Sequence, residues 1–412
     1  MPTTTTLPVI ESTESPADVA AAAEFIRSSA AEKTALYPLG GGTSLDFGLP
    51  GKRLGVGLDL GQLNQIVDYP AADMTITVQA GIRMAELNEL LAEHGQQLPL
   101  DVPHAADATL GGVLATDFSG PRRLGYGTAR DYVIGIRAID GNGQPFAGGG
   151  RVVKNVAGYD FCKLLIGSLG TLGVITEVTL KLKPLASDTA MVIVTPHDQS
   201  QLETILSGLV TSQTQPVAAD WICGAEWQTL ASDCGWSDSA IGWLLLLFEG
   251  TAAETSWSVD QIEREVRDLA GIKIDRVTTG DHSRILEQLS EFPARESAPI
   301  VIKATVLPSR VTEFVALAQR HATSSMQCHA ANGIVRMVLP AAPSSGTANL
   351  ITQHLQPAAA VDSGEVIMLR NRDGEMTPRA IWGSLSGPME LMQRIKRQFD
   401  PHDILNPGRF VY

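Results

Sequence analysis

The stretch Pro38-Leu39-Gly40-Gly41-Gly42-Thr43-Ser44 decides how this chain is interpreted, because it places three consecutive glycines directly after a predicted strand. Residues 34–37 form that strand. Consecutive backbone N–H groups of a glycine loop can solvate the phosphate oxygens of a ligand without steric interference from side chains. Taken alone, the loop is equally compatible with a ligand-free turn between two strands. Its meaning therefore depends on the rest of the sequence.

Two common phosphate-binding motifs do not fit this region. The dinucleotide fingerprint GxGxxG requires a third glycine where Leu45 stands, and no helical pattern follows immediately. The Walker A motif requires Ser or Thr where Arg53 follows Lys52, and it requires glycine in place of Asp46. The sequence therefore predicts neither a Rossmann nucleotide site nor an ATPase.

Composition limits the class of protein. The chain has 412 residues, of which 44% are hydrophobic and 18% charged, and this indicates two or three globular domains. A net charge of −14 without long basic runs disfavours nucleic acid and anionic membranes as partners. The longest apolar run, 241–248, is too short to span a membrane and predicts a buried strand.

The cysteines and the N-terminus carry no special signal. Cys162, Cys223, Cys234 and Cys328 lack the short spacings of zinc, iron–sulfur or disulfide sites, so no metal is predicted in this chain. Residues 1–10 show neither a secretory signal nor a transit peptide. We therefore expect a cytoplasmic protein, associated with a membrane only through partner subunits.

The periodicity of apolar residues predicts the secondary structure and a division into two domains. A first domain, 1–186, is rich in glycine; after Pro184 the glycine density falls and helices alternate with strands, so a second domain is predicted over 187–412. The predicted strands are 34–37, 53–59, 74–79, a hairpin from 131–140, 173–182, 191–195, 243–249, 301–306 and 333–339. The predicted helices are 19–29, 83–93, 160–169, 201–210, 258–269, 311–321 and 388–399.

Glycines and short hydroxyl side chains recur in a second cluster, which comprises 107–112, 117–123 and 126–131. Such residues let the backbone approach a flat ring and its phosphate tail closely, so ligand contact is favoured over a purely structural role. Arg130 is expected to pair with the adjacent Asp131 rather than with a ligand. A third cluster comprises 154–160 and 167–176, in which Gly170 has an ordinary explanation as a helix cap.

Six motifs together carry a family resemblance: PLGGGTS, TVQAG, ATLGG, SGPRRLGYGTARDYVIG, VVKNVAGYD and GTLGVIT. Their order is similar to that in the FAD-binding oxidases of the vanillyl-alcohol oxidase and p-cresol methylhydroxylase superfamily. The pattern most resembles the FAD-binding subunits of bacterial glycolate oxidases, which have three components. The resemblance covers 15–185 and is extended by Asn406-Pro407-Gly408-Arg409.

This resemblance implies an α+β fold, in which a two-subdomain FAD-binding domain of the p-cresol methylhydroxylase type precedes an α/β cap domain. It implies that 40–44 grip the pyrophosphate of FAD, while 109–112, Ser119, Gly120 and Ile175 line the adenosine and flavin. Noncovalent binding is expected, because 40–46 contains neither His nor Cys. The residues predicted to contact FAD are Pro38, Leu39, Gly40, Gly41, Gly42, Thr43, Ser44, Gly81, Thr109, Leu110, Gly111, Gly112, Ser119, Gly120, Tyr126, Gly127, Arg130, Gly158, Asp160, Gly173, Val174, Ile175 and Asn406.

The catalytic residues are not identified by the sequence. Related hydroxyacid dehydrogenases carry a Gly-Glu-His-Gly motif, whereas this chain has Gly364-Glu365-Val366. Arg370, Arg372 and Arg409 are candidates for a substrate carboxylate and His329 for a base, but surface charges and a core histidine are the favoured interpretations.

Three hypotheses about function follow. The favoured one is an FAD-binding subunit of a multi-subunit glycolate oxidase, which oxidises the 2-hydroxy acid glycolate to glyoxylate together with a second flavoprotein subunit and an iron–sulfur subunit. The first alternative is a stand-alone FAD-dependent dehydrogenase of D-2-hydroxy acids such as D-lactate. The second is a non-catalytic scaffold subunit with a flavin fold. The electron acceptor and the oligomeric state stay open.

Overall fold

The computed structural model describes residues 9–150, 159–268, 272–278, 280–372, 377–383 and 389–410. Its contacts divide the chain into two compact units. Unit 1 consists of the residues up to 119, 127–185 and the residues from 385 onward, whereas unit 2 consists of 120–126 and 186–384. The C-terminal segment, which the sequence prediction assigns to the second domain, thus lies in unit 1.

The described residues form mixed helices and strands, as the α+β class requires. The strands are β1 (Ile10–Glu14), β2 (Ala35–Leu39), β3 (Gly55–Asp59), β4 (Ile66–Asp68), β5 (Thr75–Gln79), β6 (Gln96–Gln97), β7 (Val133–Ile139), β8 (Pro145–Gly149), β9 (Val174–Lys181), β10 (Lys183–Pro184), β11 (Asp188–Thr195), β12 (Ala218–Cys223), β13 (Trp243–Gly250), β14 (Lys273–Arg276), β15 (Ile300–Thr305), β16 (Ser325–His329), β17 (Ile334–Leu339) and β18 (Glu365–Asn371). The helices are α1 (Val19–Glu32), α2 (Met84–Glu93), α3 (Leu110–Thr116), α4 (Arg123–Tyr126), α5 (Ala129–Tyr132), α6 (Phe161–Leu165), α7 (Gln199–Thr211), α8 (Gln228–Asp233), α9 (Ala252–Arg267), α10 (His282–Glu291), α11 (Val311–His321), α12 (Thr347–Asn349), α13 (Gln356–Ala360), α14 (Pro378–Trp382) and α15 (Met389–Phe399).

Unit 1 contains two main sheets. The first is a parallel sheet in the order β1-β3-β2, and β2 ends at the glycine loop. The second is antiparallel, in the order β4-β5-β9-β7-β8. Asp18 is the N-cap residue of helix α1, and its carboxylate accepts a 2.8 Å hydrogen bond from the Ala21 N–H. The apolar face of α1 packs on the first sheet. The first sheet therefore holds strand β2, which leads into the glycine loop.

Unit 2 is built on one antiparallel sheet of eight strands, in the order β14-β11-β13-β12-β16-β17-β15-β18. The apolar run 241–248, predicted as a buried strand, supplies β13 in the middle of its first half, and Trp243 to Phe248 are buried. Trp227, Phe292 and Ile285 pack against one face of this sheet. The alternation of helices and strands predicted after Pro184 is confirmed.

The other sequence-predicted elements are also found within the described residues, although the helix predicted over 258–269 begins six residues earlier, at Ala252, and two further differences are notable. The helix predicted over 160–169 ends at Leu165, because Ile166 adopts an extended conformation. Gly170 is therefore not a helix cap but a turn residue with a φ of 66°. The glycine cluster at 109–112 was not predicted to be helical, although it begins helix α3. No helix in the described ranges combines enough length and apolar character to cross a membrane.

Candidate functional site

The glycine loop, 40–44, lines an open cavity of unit 1. Five parts of the chain meet there: the loop with its flanks, the segment before α3, helix α3 with Phe118 that follows it, Leu169, and the C-terminal segment. The lining residues are Tyr37, Pro38, Leu39, Gly40, Gly41, Gly42, Thr43, Ser44, Leu45, Phe47, Val102, Pro103, Ala108, Thr109, Gly112, Val113, Ala115, Thr116, Phe118, Leu169, Asn406 and Arg409.

The three glycines of the loop each satisfy a steric requirement. A Cβ atom on Gly40 would lie 2.1 Å from Oγ1 of Thr109, and one on Gly41 would lie 1.7 Å from the carbonyl oxygen of Asp107. Gly42 adopts a φ of 73°, which side chains disfavour. Close approach of the loop to the Asp107–Thr109 segment therefore requires glycine at 40 and 41, whatever the loop binds.

The backbone N–H groups of the loop fit a phosphate ligand. Within the described residues, the N–H groups of Gly40, Gly41, Gly42, Thr43 and Ser44 donate no hydrogen bond to the protein backbone or to a side chain. Backbone donors are strong hydrogen-bonding groups that are normally paired with protein, water or a ligand. Five successive donors at the edge of a cavity therefore match the pyrophosphate of a dinucleotide.

A cation lies at the same cavity. The guanidinium of Arg409 is 5% exposed and donates hydrogen bonds of 2.6 and 2.7 Å to the carbonyl oxygens of Leu45 and Phe47. Burial lowers the pKa of Arg409 to about 10, so the group is still protonated at neutral pH. Its positive charge favours an anionic ligand at the glycine loop. The surface position expected for Arg409 is thus wrong.

Thr109 and Gly112 belong to the same cavity through helix α3. Thr109 is the N-cap residue of that helix, and its hydroxyl accepts a 3.4 Å hydrogen bond from the Gly112 N–H. The residues predicted to bind FAD that line the cavity are therefore 38–44, Thr109, Gly112 and Asn406. Leu110 is fully buried on the other side of α3.

Several other predicted contact residues have close structural neighbours and do not line this cavity. A Cβ atom on Gly81 would lie 2.2 Å from the Leu60 carbonyl oxygen, and one on Gly111 would lie 3.0 Å from the Ala80 side chain. A Cβ atom on Gly173 would lie 3.1 Å from the Ile139 carbonyl oxygen. Val174 and Ile175 are buried in β9, where they pair with β7. Their placement is explained by sheet and helix packing.

The predicted contact residues between 119 and 130 are divided between the two units. Ser119, which is buried, Gly127 and Arg130 belong to unit 1, whereas Gly120 and Tyr126 belong to unit 2. The ion pair predicted between Arg130 and Asp131 is wrong. Arg130 instead contacts Asp117 at 3.2 Å, because Asp131 forms a capping box with Thr128 at the start of α5.

Tyr126 has a defined partner within unit 2. Its hydroxyl donates a 2.7 Å hydrogen bond to Glu249, and Arg122 contacts the other oxygen of the same carboxylate at 3.0 Å. In unit 1, Asp160 caps helix α6 by accepting a 3.0 Å hydrogen bond from the Lys163 N–H, and this bond lowers the pKa of the Asp160 carboxyl. The predicted contact Gly158 lies outside the described residues.

Sequence reasoning missed the apolar part of the cavity, although it predicted Asn406 of the C-terminal segment. Val102 and Pro103 precede the second glycine cluster, and Leu169 directly precedes the GTLGVIT motif, but none of the three carries a motif of its own. The aromatic Tyr37 and Phe47 flank the glycine loop directly. Apolar residues on either side of a glycine loop were therefore the one available signal.

The three remaining catalytic candidates, His329, Arg370 and Arg372, lie in unit 2. His329 is 1% exposed, and its Nδ1 lies 2.7 Å from Oδ1 of Asp220 on the neighbouring strand. Burial lowers the pKa of His329, and Asp220 opposes that effect. Its buried Nε2 has no hydrogen-bond partner among the described residues. His329 is therefore a core histidine held by a carboxylate.

The two other candidate arginines contact nearby carbonyl groups. Arg370 is buried and donates a 3.1 Å hydrogen bond to the carbonyl oxygen of Arg295, whereas the exposed Arg372 donates one of 3.2 Å to that of Glu296. The surface position expected for Arg370 is thus wrong, and that expected for Arg372 is confirmed. Both side chains support the segment before β15.

Comparison with known proteins agrees with this site. Residues 12–147 match the family model described as FAD binding domain, and residues 386–410 match that described as FAD linked oxidases, C-terminal domain. The fold is that of p-cresol methylhydroxylase: the solved structure with substrate bound has a TM-score of 0.74 at 15% identity, over 96% of this chain and 88% of that chain.

Two curated relatives act on 2-hydroxy acids according to their names. Glycolate oxidase subunit GlcE of Escherichia coli is 34% identical over 48% of this chain and 56% of its own length. The mitochondrial D-lactate dehydrogenase [cytochrome] of Arabidopsis thaliana is 26% identical over 94% of this chain and 71% of its own length. The match thus covers little more than half the length of the glycolate oxidase subunit.

Glycolate and lactate share a hydroxyl group next to a carboxylate, so these relatives support FAD-linked oxidation of a 2-hydroxy acid. The two matched domains, the fold and the glycine-loop cavity agree on the cofactor, which is FAD. The chain therefore carries an FAD binding domain over 12–147 and the C-terminal domain of FAD linked oxidases over 386–410, on a fold similar to that of p-cresol methylhydroxylase.

Proposed function

We propose that this chain is the FAD-binding subunit of a multi-subunit glycolate oxidase, and that it binds FAD noncovalently. The observation that carries the proposal is the row of five successive N–H groups at 40–44 that donate no hydrogen bond to described residues, since these residues line a cavity together with Arg409. The 34% identity to a glycolate oxidase subunit supports the choice of complex. Glycolate, glyoxylate as the product, and the partner subunits are parts of this proposal.

In the proposed site, the N–H groups of the glycine loop hold the pyrophosphate oxygens, and Arg409 balances their charge. The apolar residues Val102, Leu169 and Phe118 exclude water from the neighbouring part of the cavity. Bound FAD supplies the acceptor for the two electrons that leave the CH–OH group of the substrate. No His or Cys lies at 40–46, which supports noncovalent attachment.

The substrate base is proposed to lie on a partner chain. At the position corresponding to the histidine of the Gly-Glu-His-Gly motif, this chain has Val366, which is fully buried in β18 opposite Ala304 of β15. A buried valine in a sheet ladder cannot accept a proton. A second flavoprotein subunit would therefore supply the hydroxyacid site, and an iron–sulfur subunit would carry electrons onward.

A second candidate is a stand-alone dehydrogenase of D-2-hydroxy acids. The observation that favours it is the alignment with a D-lactate dehydrogenase, which extends over 94% of the chain. The scaffold hypothesis is the weakest of the three, because the chain carries the FAD binding domain.

Two measurements separate these functions. The purified chain should be yellow, and acid precipitation should release its flavin into the supernatant; flavin that stays with the pellet would contradict noncovalent binding. Glycolate and D-lactate should then bleach the flavin slowly in the isolated chain and rapidly in the assembled complex. Rapid single-turnover bleaching in the isolated chain would overturn the subunit proposal in favour of the dehydrogenase.

A further inference from the structure

We infer that the buried pair Lys396–Asp400 is a positioning device for FAD, and that docking of the C-terminal segment 400–409 is coupled to cofactor binding. This inference rests on the proposed placement of FAD at the glycine loop. No catalytic role is assigned to either residue. Both act through the backbone that they hold.

Lys396, on helix α15, is unusual among lysines because its side chain is 7% exposed, while that of Asp400 is 0% exposed. Lysine is rarely buried unless its charge is paired. Here Nζ donates hydrogen bonds to Oδ2 of Asp400 at 2.6 Å, to the Thr171 carbonyl oxygen at 2.9 Å and to the Leu405 carbonyl oxygen at 3.0 Å. A second carboxylate, that of the exposed Asp403, lies 3.4 Å from the same Nζ.

Asp400 organises the turn that follows α15. Its Oδ1 accepts a 3.0 Å hydrogen bond from the Ile404 N–H, and its Oδ2 accepts one of 2.8 Å from the Leu405 N–H. The side chains of Ile404 and Leu405 are fully buried in the core beneath α1. The ion pair and the apolar contacts therefore fix 400–405 against unit 1.

The docked segment holds the strand that enters the glycine loop. The Leu36 N–H donates a 2.7 Å hydrogen bond to the Ile404 carbonyl oxygen, and the Asn406 N–H donates one of 2.8 Å to the Leu36 carbonyl oxygen. Leu405 thereby pairs with Leu36 as a parallel bridge at the edge of β2. Strand β2 leads directly to Gly40.

The same segment also holds the chain that leaves the glycine loop. Besides the contacts of Arg409 to Leu45 and Phe47, the Leu49 N–H donates a 3.1 Å hydrogen bond to the Arg409 carbonyl oxygen. Asn406 spans the cavity edge, because its side-chain amide donates a 2.7 Å hydrogen bond to the Leu169 carbonyl oxygen. Segment 400–409 thus borders the loop on its entering and leaving sides.

Coupling follows from this arrangement. If the loop is in its binding geometry only while 400–409 is docked, the apparent dissociation constant for FAD rises as the docked fraction falls. By linkage, bound FAD must stabilise the docked segment by the same factor. A role confined to general stability would instead let FAD slow exchange to the same degree at all amides that exchange by global unfolding, without a specific effect at 404–406.

The first test is the substitution Lys396→Met, which removes the ammonium group and leaves Asp400 buried without its partner. We expect the dissociation constant for FAD, measured on apo-protein by quenching of flavin fluorescence, to rise at least tenfold. The control is Arg276→Met, which removes ion pairs of 2.6 and 2.7 Å to Glu263 and Asp260 at an exposed site of unit 2. The control should bind FAD as the wild type does.

The second test needs no variant and so does not depend on the folding of Lys396→Met. Hydrogen exchange of the wild-type chain is compared with and without FAD, and FAD should slow exchange at the amides of 404–406 as well as at 40–44. Tight FAD binding with unchanged exchange at 404–406, or an unchanged dissociation constant in folded Lys396→Met, would overturn the coupling alone. A chain that binds no FAD would instead remove the proposed site, and the inference with it.

Discussion

The backbone of Gly41 lies so close to Asp107 that a Cβ atom at position 41 would stand 1.7 Å from the Asp107 carbonyl oxygen. The glycine loop and the segment that leads into α3 therefore form one packed unit. This contact orders the loop before any ligand binds, and preorganisation lowers the entropic cost of binding.

Substitution of Gly41 by alanine is expected to separate these two segments. Overpacking of this kind costs about 1–3 kcal/mol of unfolding free energy, and the displaced N–H groups should weaken FAD binding more than tenfold. Chemical denaturation and FAD titration of the apo-protein measure the two effects.

The matched control is Gly208→Ala in helix α7, where an added Cβ atom meets nothing within 4 Å. Alanine in place of a helical glycine stabilises by up to about 1 kcal/mol, so this variant should be at least as stable as the wild type and bind FAD normally. Wild-type FAD affinity in Gly41→Ala would show that the loop does not bind the cofactor through its present geometry.

The cysteines should differ sharply in reactivity. Burial raises the pKa of Cys162 to about 11 and that of Cys223 to about 12, and it raises the pKa of the buried Cys328 as well. The thiolate is the reactive form, so at pH 8 roughly one Cys162 side chain in a thousand is reactive. Cys234 is half-buried and should react first.

A thiol reagent such as Ellman's reagent should therefore modify one cysteine per native chain, and all four after unfolding. In the variant Cys234→Ser, native labelling should disappear while labelling after unfolding falls to three. Rapid native labelling of Cys162 or Cys223 would contradict the burial described above.

His329 should make the stability of unit 2 depend on pH. Because burial lowers its pKa below the unfolded value of about 6.5, the unfolded chain binds more protons than the folded chain below that pH. The contribution of His329 to the free energy of unfolding is therefore fully present above about pH 6.5, and it is lost as the pH falls toward the folded pKa. Each pH unit by which the folded pKa lies below the unfolded pKa corresponds to about 1.4 kcal/mol of that contribution.

The test compares urea unfolding of the wild type and His329→Gln between pH 5 and 7.5, with the exposed His402→Gln as the control for loss of a histidine. The slope of unfolding free energy against pH should be smaller in His329→Gln than in the other two proteins. Equal slopes in all three would show that the pKa of His329 does not differ between the folded and unfolded chains, and a larger slope in His329→Gln would show that His329 is charged in the native core, paired as an ion with Asp220.

The sequence predicted most elements and the nature of the cofactor, because these depend on local patterns. Apolar alternation predicted β5 and β9, and the run 241–248 predicted β13. Glycine-rich motifs in a fixed order predicted the FAD-binding domain, although each motif alone was ambiguous. Predictions failed where a local interaction outside the pattern decided the outcome, as when the capping box of Thr128 and Asp131 left Arg130 to pair with Asp117.

The amino-acid sequence by itself determined the glycines at 40–42, since their missing side chains allow both the close approach to Asp107 and a φ of 73°. Only the tertiary structure decided what surrounds them. Residues 396–409 are more than 350 positions away along the chain, and no periodic pattern connects them to the loop. Their position depends on a buried ion pair and on backbone hydrogen bonds to Leu36, which exist only once the first sheet has formed.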